Sequence, residues 1–107
     1  MMVRIWRGLA DPDKADSYAR HVSTHVFPKL RGIAGHRGAY LLRRETNGQI
    51  EFLAVTLWES MEAIKRFAGT DASVAVVEPE ARAVLAAFDD VVRHYEVVHQ
   101  PDAHDSN

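Results

Sequence analysis

The chain has no cysteine. That excludes disulfides, thiolate catalysis, and zinc or iron–sulfur sites held by cysteine. It also lacks a basic excess: 13 Lys and Arg stand against 15 Asp and Glu, for a formal net charge of -2. Phosphate recognition normally leaves a basic footprint, so no nucleic-acid partner is expected. No apolar run approaches the roughly 20 residues that span a bilayer, and the opening MMVRIWRG holds no signal-peptide apolar region. The expectation is a cytoplasmic protein with no membrane partner. Internal repeats, linkers and low-complexity blocks are absent too, and 107 residues suit one domain.

What is present orders itself clearly. Met2 to Leu9 reads as a strand. Asp11-Pro12 opens a helix, with Ala15, Tyr18, Ala19, Val22 and Val26 on one face, and Pro28 is expected to end it by forcing Phe27 out of helical geometry. Asn47-Gly48 marks a two-residue hairpin turn, because both residues tolerate positive φ. Counting back from that turn pairs Arg44 with Glu51, Leu42 with Leu53, Tyr40 with Val55 and Gly38 with Leu57 on one side. The other side carries Arg43 with Phe52, Leu41 with Ala54, Ala39 with Thr56, and Arg37 with Trp58. Both faces are apolar, although one chain this short can cover only one of them. A second copy, docked through the sheet face as a homodimer, is the economical cover.

Ser60 is a candidate cap for a helix with Met61, Ile64, Phe67 and Ala68 on one stripe, stopped by Gly69. Pro79 restarts a helix in which Ala81, Val84, Leu85 and Phe88 form an i, i+3, i+4, i+7 ladder. Val91 to Val98 reads as the last strand, and 101–107 as a polar, frayed tail after a domain spanning 1–100. The order β-α-β-β-α-(α)-β is that of an α+β ferredoxin-like sandwich with a four-stranded antiparallel sheet.

RIWRG on the first strand, GHRGAYLLRR entering the hairpin, EFLAVTLWES entering the second helix, and the closing VVRHYEVV together resemble the antibiotic biosynthesis monooxygenase (ABM) domain family. The resemblance implies a dimeric α/β barrel, built sheet against sheet. It also implies a cofactor-independent monooxygenase of a small aromatic or quinone-like metabolite. Oxygenases of this family that act on aromatic polyketides carry an Asn four residues before the Trp of a Trp-Glu-Ser, and a Tyr six residues after that Trp. Here Trp58 stands at the Trp position, with Ala54 and Ile64 at the other two. Haem-degrading relatives use a first-strand Asn, a helical Trp and a His ligand. This chain has no Asn before Asn47, has Phe67 at the Trp position, and has no His between His36 and His94. Haem degradation is therefore disfavoured, and no cofactor is expected.

The loss of the Asn and Tyr leaves a second reading open, a non-catalytic small-ligand-binding or stress-related dimer. A third is another reaction on the same barrel, such as an isomerisation. If the chain is an oxygenase, its substrate must lose a proton in a dry pocket before it can give an electron to oxygen. His25 and His94 are the candidate bases, because histidine titrates near neutral pH. Tyr18, Tyr40, Trp58 and Arg43 are the candidate substrate-binding residues. By helical phase His25 falls beside Tyr18, while His21 points further towards solvent. His21 and His25 share the i, i+4 spacing of a metal pair, but no HExxH pattern supplies a third ligand, so no metal is expected.

Overall fold

Asn47-Gly48 organises the sheet. In the computed structural model, which describes residues 1–101, Asn47 and Gly48 adopt φ of 51° and 77°, the paired positive values of a type I′ turn. The turn joins β2 (His36–Thr46) to β3 (Gln49–Trp58), and every pairing read from the sequence between Gly38–Leu57 and Arg44–Glu51 is observed. One pairing differs. A bulge at Arg37 slips the register, so Trp58 meets His36 instead.

β1 (Met2–Ala10) lies antiparallel along the other edge of β3. Its own outer edge is covered by two short strands, β4 (Ala87–Phe88) and β5 (Arg93–Glu96). The sheet thus has five strands rather than four, ordered β2-β3-β1 with β4 and β5 end to end along the outer edge of β1. The ferredoxin-like order is retained, with its final strand broken in two.

α1 (Pro12–His21) does not stop before Pro28. It passes into a π-helical turn, Val22–Val26, in which Phe27 N–H donates to the Val22 carbonyl, and then into α2 (Phe27–Leu30). Phe27 itself is helical, with φ -61° and ψ -39°. The wider turn makes room for a proline ring and leaves its missing N–H without consequence, so Pro28 starts a short helix instead of ending a long one.

α3 (Met61–Ala68) follows the sequence reading closely. The Ser60 hydroxyl accepts the Ala63 N–H at 3.2 Å, and Gly69 closes the helix at φ 86°. α4 (Pro79–Val84) is shorter than its ladder. Leu85 turns extended, and the Ala86 and Asp89 N–H groups donate to the Leu9 and Arg7 carbonyls of β1. The free edge of β1 outcompetes one more helical turn, and Phe88 becomes a strand residue packed beside Trp6. The tail expected beyond Pro101 lies outside the described residues.

All helices sit on one face of the sheet. Beneath them are two buried clusters, one around Tyr18, Val22 and Phe52 and one around Leu30, Trp58 and Ile64, with Phe27 packed against both. The opposite face carries Tyr40, Leu42 and Tyr95, which are 61%, 48% and 51% exposed. On that face Glu51 accepts from Arg7 and Arg44, each at 2.6 Å, and hydrogen bonds from Arg44 and then Arg7 hold its pKa below the usual carboxylate value.

Candidate functional site

A cleft of about 90 Å³ opens where the two buried clusters meet. Sheet residues Arg4, Trp6, Ala54 and Thr56 form its floor. Tyr18, Val22, Val26 and Phe27 wall one side, and Phe67 with Val76, Val77 and Glu78 completes the rim. Strand alternation explains the floor. Arg4 pairs with Thr56 and Trp6 with Ala54 across β1 and β3, so all four project towards the helices. The π-helical turn supplies the wall, since Val22 and Val26 bracket it. Such turns recur at functional sites.

The aromatic side chains are held in place. Trp6 Nε1–H donates to the Asp89 carbonyl at 2.8 Å, and its ring centroid lies 6.3 Å from that of Tyr18. Tyr18 packs on Phe52 at 4.7 Å. Burial raises the Tyr18 pKa above the ordinary tyrosine value, so its hydroxyl stays a neutral donor.

Arg4 is the charged group of the floor and is only 4% exposed. Nη1 donates to the Ala72 carbonyl, and Nη2 donates to that of Val74 at 3.0 Å. Nη1 also lies 3.1 Å from His94 Nε2. Because guanidinium can only donate, His94 Nε2 accepts, which fixes a neutral imidazole with its proton on Nδ1. Burial and then the Arg4 charge lower the His94 pKa accordingly. Burial also lowers the Arg4 pKa to about 10, which leaves it a cation at neutral pH.

The six residues singled out from the sequence separate in space. Tyr18 lines the cleft. His94 reaches it only through Arg4, with its acceptor nitrogen occupied. Trp58 is fully buried: its Nε1–H donates to Thr56 Oγ1 at 2.8 Å, it stacks on Phe67 at 5.9 Å, and His36 meets its edge at 4.9 Å. Thr56 and Phe67 line the cleft, and Trp58 backs them from behind.

His25 is exposed, contrary to its helical phase, whereas His21 is turned inward to 3.5 Å from Glu78. The π-helical turn advances fewer degrees per residue than an α-helix, which carries His25 away from Tyr18. Tyr40 stands on the opposite face of the sheet. Arg43 is exposed and paired with Asp16 at 3.0 Å. His25, Tyr40 and Arg43 are thus outside the cleft. Arg4, Trp6 and Phe27 went unrecognised in the sequence. The signal for Arg4 was legible, because alternation along RIWRG puts it in phase with Trp6.

His21, Glu78 and Glu80 come close enough together to suggest a cation site, but Lys29 Nζ already lies 3.2 Å from Glu78. No imidazole lines the cleft among the described residues, so its donor set does not fit an axial haem ligand. Among the described residues no helix is long and apolar enough to cross a membrane.

The fold is shared with several solved structures. A proposed antibiotic biosynthesis monooxygenase from Bacillus cereus superposes with a TM-score of 0.67 at 15% identity, over 95% of this chain and 97% of that one. A second, from Deinococcus radiodurans, gives 0.64 at 14% identity over 95% and 97%. The heme-degrader MhuD of Mycobacterium tuberculosis, with two hemes bound in its active site, gives 0.62 at 24% identity over 95% and 100%. No curated protein matches. The sequence profile of the antibiotic biosynthesis monooxygenase family matches residues 1–79, from β1 through α3 to the start of α4, and the chain belongs to that family.

Proposed function

We propose that this protein is a cofactor-independent monooxygenase of a small aromatic or quinone-like metabolite, working as a cytoplasmic homodimer. The observation that carries the reading is the cleft itself. It lies between helices and sheet, is lined by the rings of Trp6, Tyr18, Phe27 and Phe67, and is mostly apolar, with Arg4, Thr56, Glu78 and the Tyr18 hydroxyl as its polar groups. Flat apolar molecules and molecular oxygen both prefer such a place to water. The reaction that fits is conversion of an activated CH₂ to a carbonyl, with O₂ as oxidant and its second oxygen atom leaving as water.

At about 90 Å³ the cleft is below the ~300–1,000 Å³ of sites that enclose drug-sized ligands. A single-ring substrate, or one that spreads the rim at Val76 and Val77, is what it accommodates. His94 acts here as a positioning residue for Arg4, since its acceptor nitrogen is already engaged.

The homodimer reading is supported by the exposed Tyr40, Leu42 and Tyr95 on a sheet face that this chain leaves uncovered. A sheet with two apolar faces needs two covers.

Non-catalytic ligand binding is the second reading, and one observation favours it. Ala54 lines the cleft and Ile64 is fully buried, so neither position offers a polar group to the bound molecule. Oxygen uptake separates the two. An oxygen electrode run against a panel of anthrones and smaller single-ring compounds with an activated CH₂ is expected to show enzyme-dependent consumption. Tight binding of the same compounds with no uptake across the panel would overturn the oxygenase reading and leave the binding one.

A further inference from the structure

Arg4 is a buried cation without a counter-anion. Among the described residues no carboxylate lies within ion-pair distance of it. Its charge is met by the carbonyls of Ala72 and Val74, by the neutral nitrogen of His94, and by the face of Phe67, 5.6 Å from the guanidinium carbon. These are dipoles, and a buried charge is ordinarily paired with an opposite one.

The donor count points the same way. A guanidinium has five N–H groups, and three contacts engage this one. The side chain lines a mostly apolar cleft, and Tyr18 lines the same cleft. Glu78, the carboxylate on the rim, is committed elsewhere, 3.2 Å from Lys29 and 3.5 Å from His21.

The remaining requirement is an anion that tolerates apolar walls. A carboxylate concentrates its charge on two oxygens and loses much hydration on entering such a cleft. A phenolate or enolate spreads its charge into a ring that Trp6 and Phe27 can cover. We propose that the cleft takes its ligand as a delocalised aromatic oxyanion, a phenolate or enolate, with the oxygen on the Arg4 guanidinium and the Tyr18 hydroxyl as second donor. The proposal rests on reading the cleft as a site for a small aromatic molecule, and it adds which groups of this chain hold the oxygen of the ionised form. His94 and the two carbonyls hold the guanidinium in place beforehand, so no reorganisation accompanies the arrival of charge.

The sign of one measurement decides it. 4-Nitrophenol is titrated against the wild-type protein across pH, and its phenolate absorbance gives the pKa of the bound phenol. 4-Nitrotoluene serves as the neutral isostere. Binding through Arg4 lowers the bound pKa by at least about one unit, meaning that the phenolate binds about tenfold or more tighter than the phenol. A cleft that is merely apolar raises it instead. Arg4→Met is expected to turn the lowering into a rise while 4-nitrotoluene still binds. If that variant does not fold, the wild-type titration stands alone, and Tyr18→Phe is expected to weaken the phenolate preference severalfold. Binding of 4-nitrotoluene with a bound phenol pKa unchanged or raised would overturn the oxyanion proposal and spare the cleft. Failure of both compounds to bind would overturn both.

Discussion

Replacing Trp58 with Phe tests whether this residue is a structural backing or a participant. The indole is fully buried and gives its N–H to Thr56 Oγ1. Phenylalanine removes that bond, worth about 1 kcal/mol net, and two buried ring carbons at about 0.8 kcal/mol each. The combined loss is about 2.5 kcal/mol. At about 4 °C per kcal/mol for a chain of this length, Tm falls by about 10 °C. Scanning calorimetry at matched protein concentration measures it, since a self-associating chain has a concentration-dependent Tm. Only two tryptophans are present, so in Trp58→Phe the emission comes from Trp6 on the cleft floor and reports ligand binding directly. Ligand affinity is expected to change less than about threefold, under 1 kcal/mol, because Trp58 backs the wall without touching the cleft. A tenfold loss of affinity at unchanged Tm would refute this and return Trp58 to the site.

Three further outcomes follow from the geometry. Gly35→Ala places a Cβ 2.5 Å from that of Ala63 at φ 90°, and Gly35 also accepts the Glu59 N–H at the entrance to α3, so urea unfolding should show a loss of about 2 kcal/mol or more. His94 and His36 both have pKa values depressed by burial first and by a neighbouring arginine second, Arg4 and Arg31 respectively. The folded state therefore binds fewer protons than the unfolded one: stability is full above the unfolded value of about 6.5 and declines as pH falls below it, and His94→Gln should flatten part of that decline in urea midpoints. Tyr40→Glu with Leu42→Glu puts charge on the uncovered sheet face, and if the proposed homodimer forms through it, light scattering is expected to give twice 12.0 kDa for the parent and the 12.0 kDa monomer for the variant.

Much of the fold was legible because it depends on local chemistry. Asn47-Gly48 dictated the turn, the turn dictated the register, and the register told which residues share a face. Ser60 and Gly69 bounded α3 for the same reason, as the cap and the stop act within one helical turn. The readings that failed were those in which a distant element made the decision. Leu85 and Phe88 keep helical periodicity, yet the edge of β1 takes their neighbours' N–H groups. Pro28 looks like a terminator until the π-helical turn before it widens the path.

The candidate site divides along the same line. Tyr18 lines the cleft because the apolar helical face it stands on is the one that packs into the buried cluster. His25 was misplaced because its phase was counted at the α-helical angle, and the π-helical turn changes that angle just before it. Arg4 needed more than its own strand. Alternation puts it on the helix side, but its burial depends on carbonyls of Ala72 and Val74, about 70 positions away along the chain, and on His94, its pairing partner on the adjacent strand β5.

Short-range turns, caps and alternation encode the family resemblance, the order of the main strands and helices, the hairpin register and the two apolar sheet faces, and these are legible without the fold. Only the tertiary structure decided which aromatic residues surround a cleft, that Trp58 stands behind its wall, and that a lone guanidinium sits on its floor. Those facts arise from packing between segments far apart in the chain, and no local periodicity records them.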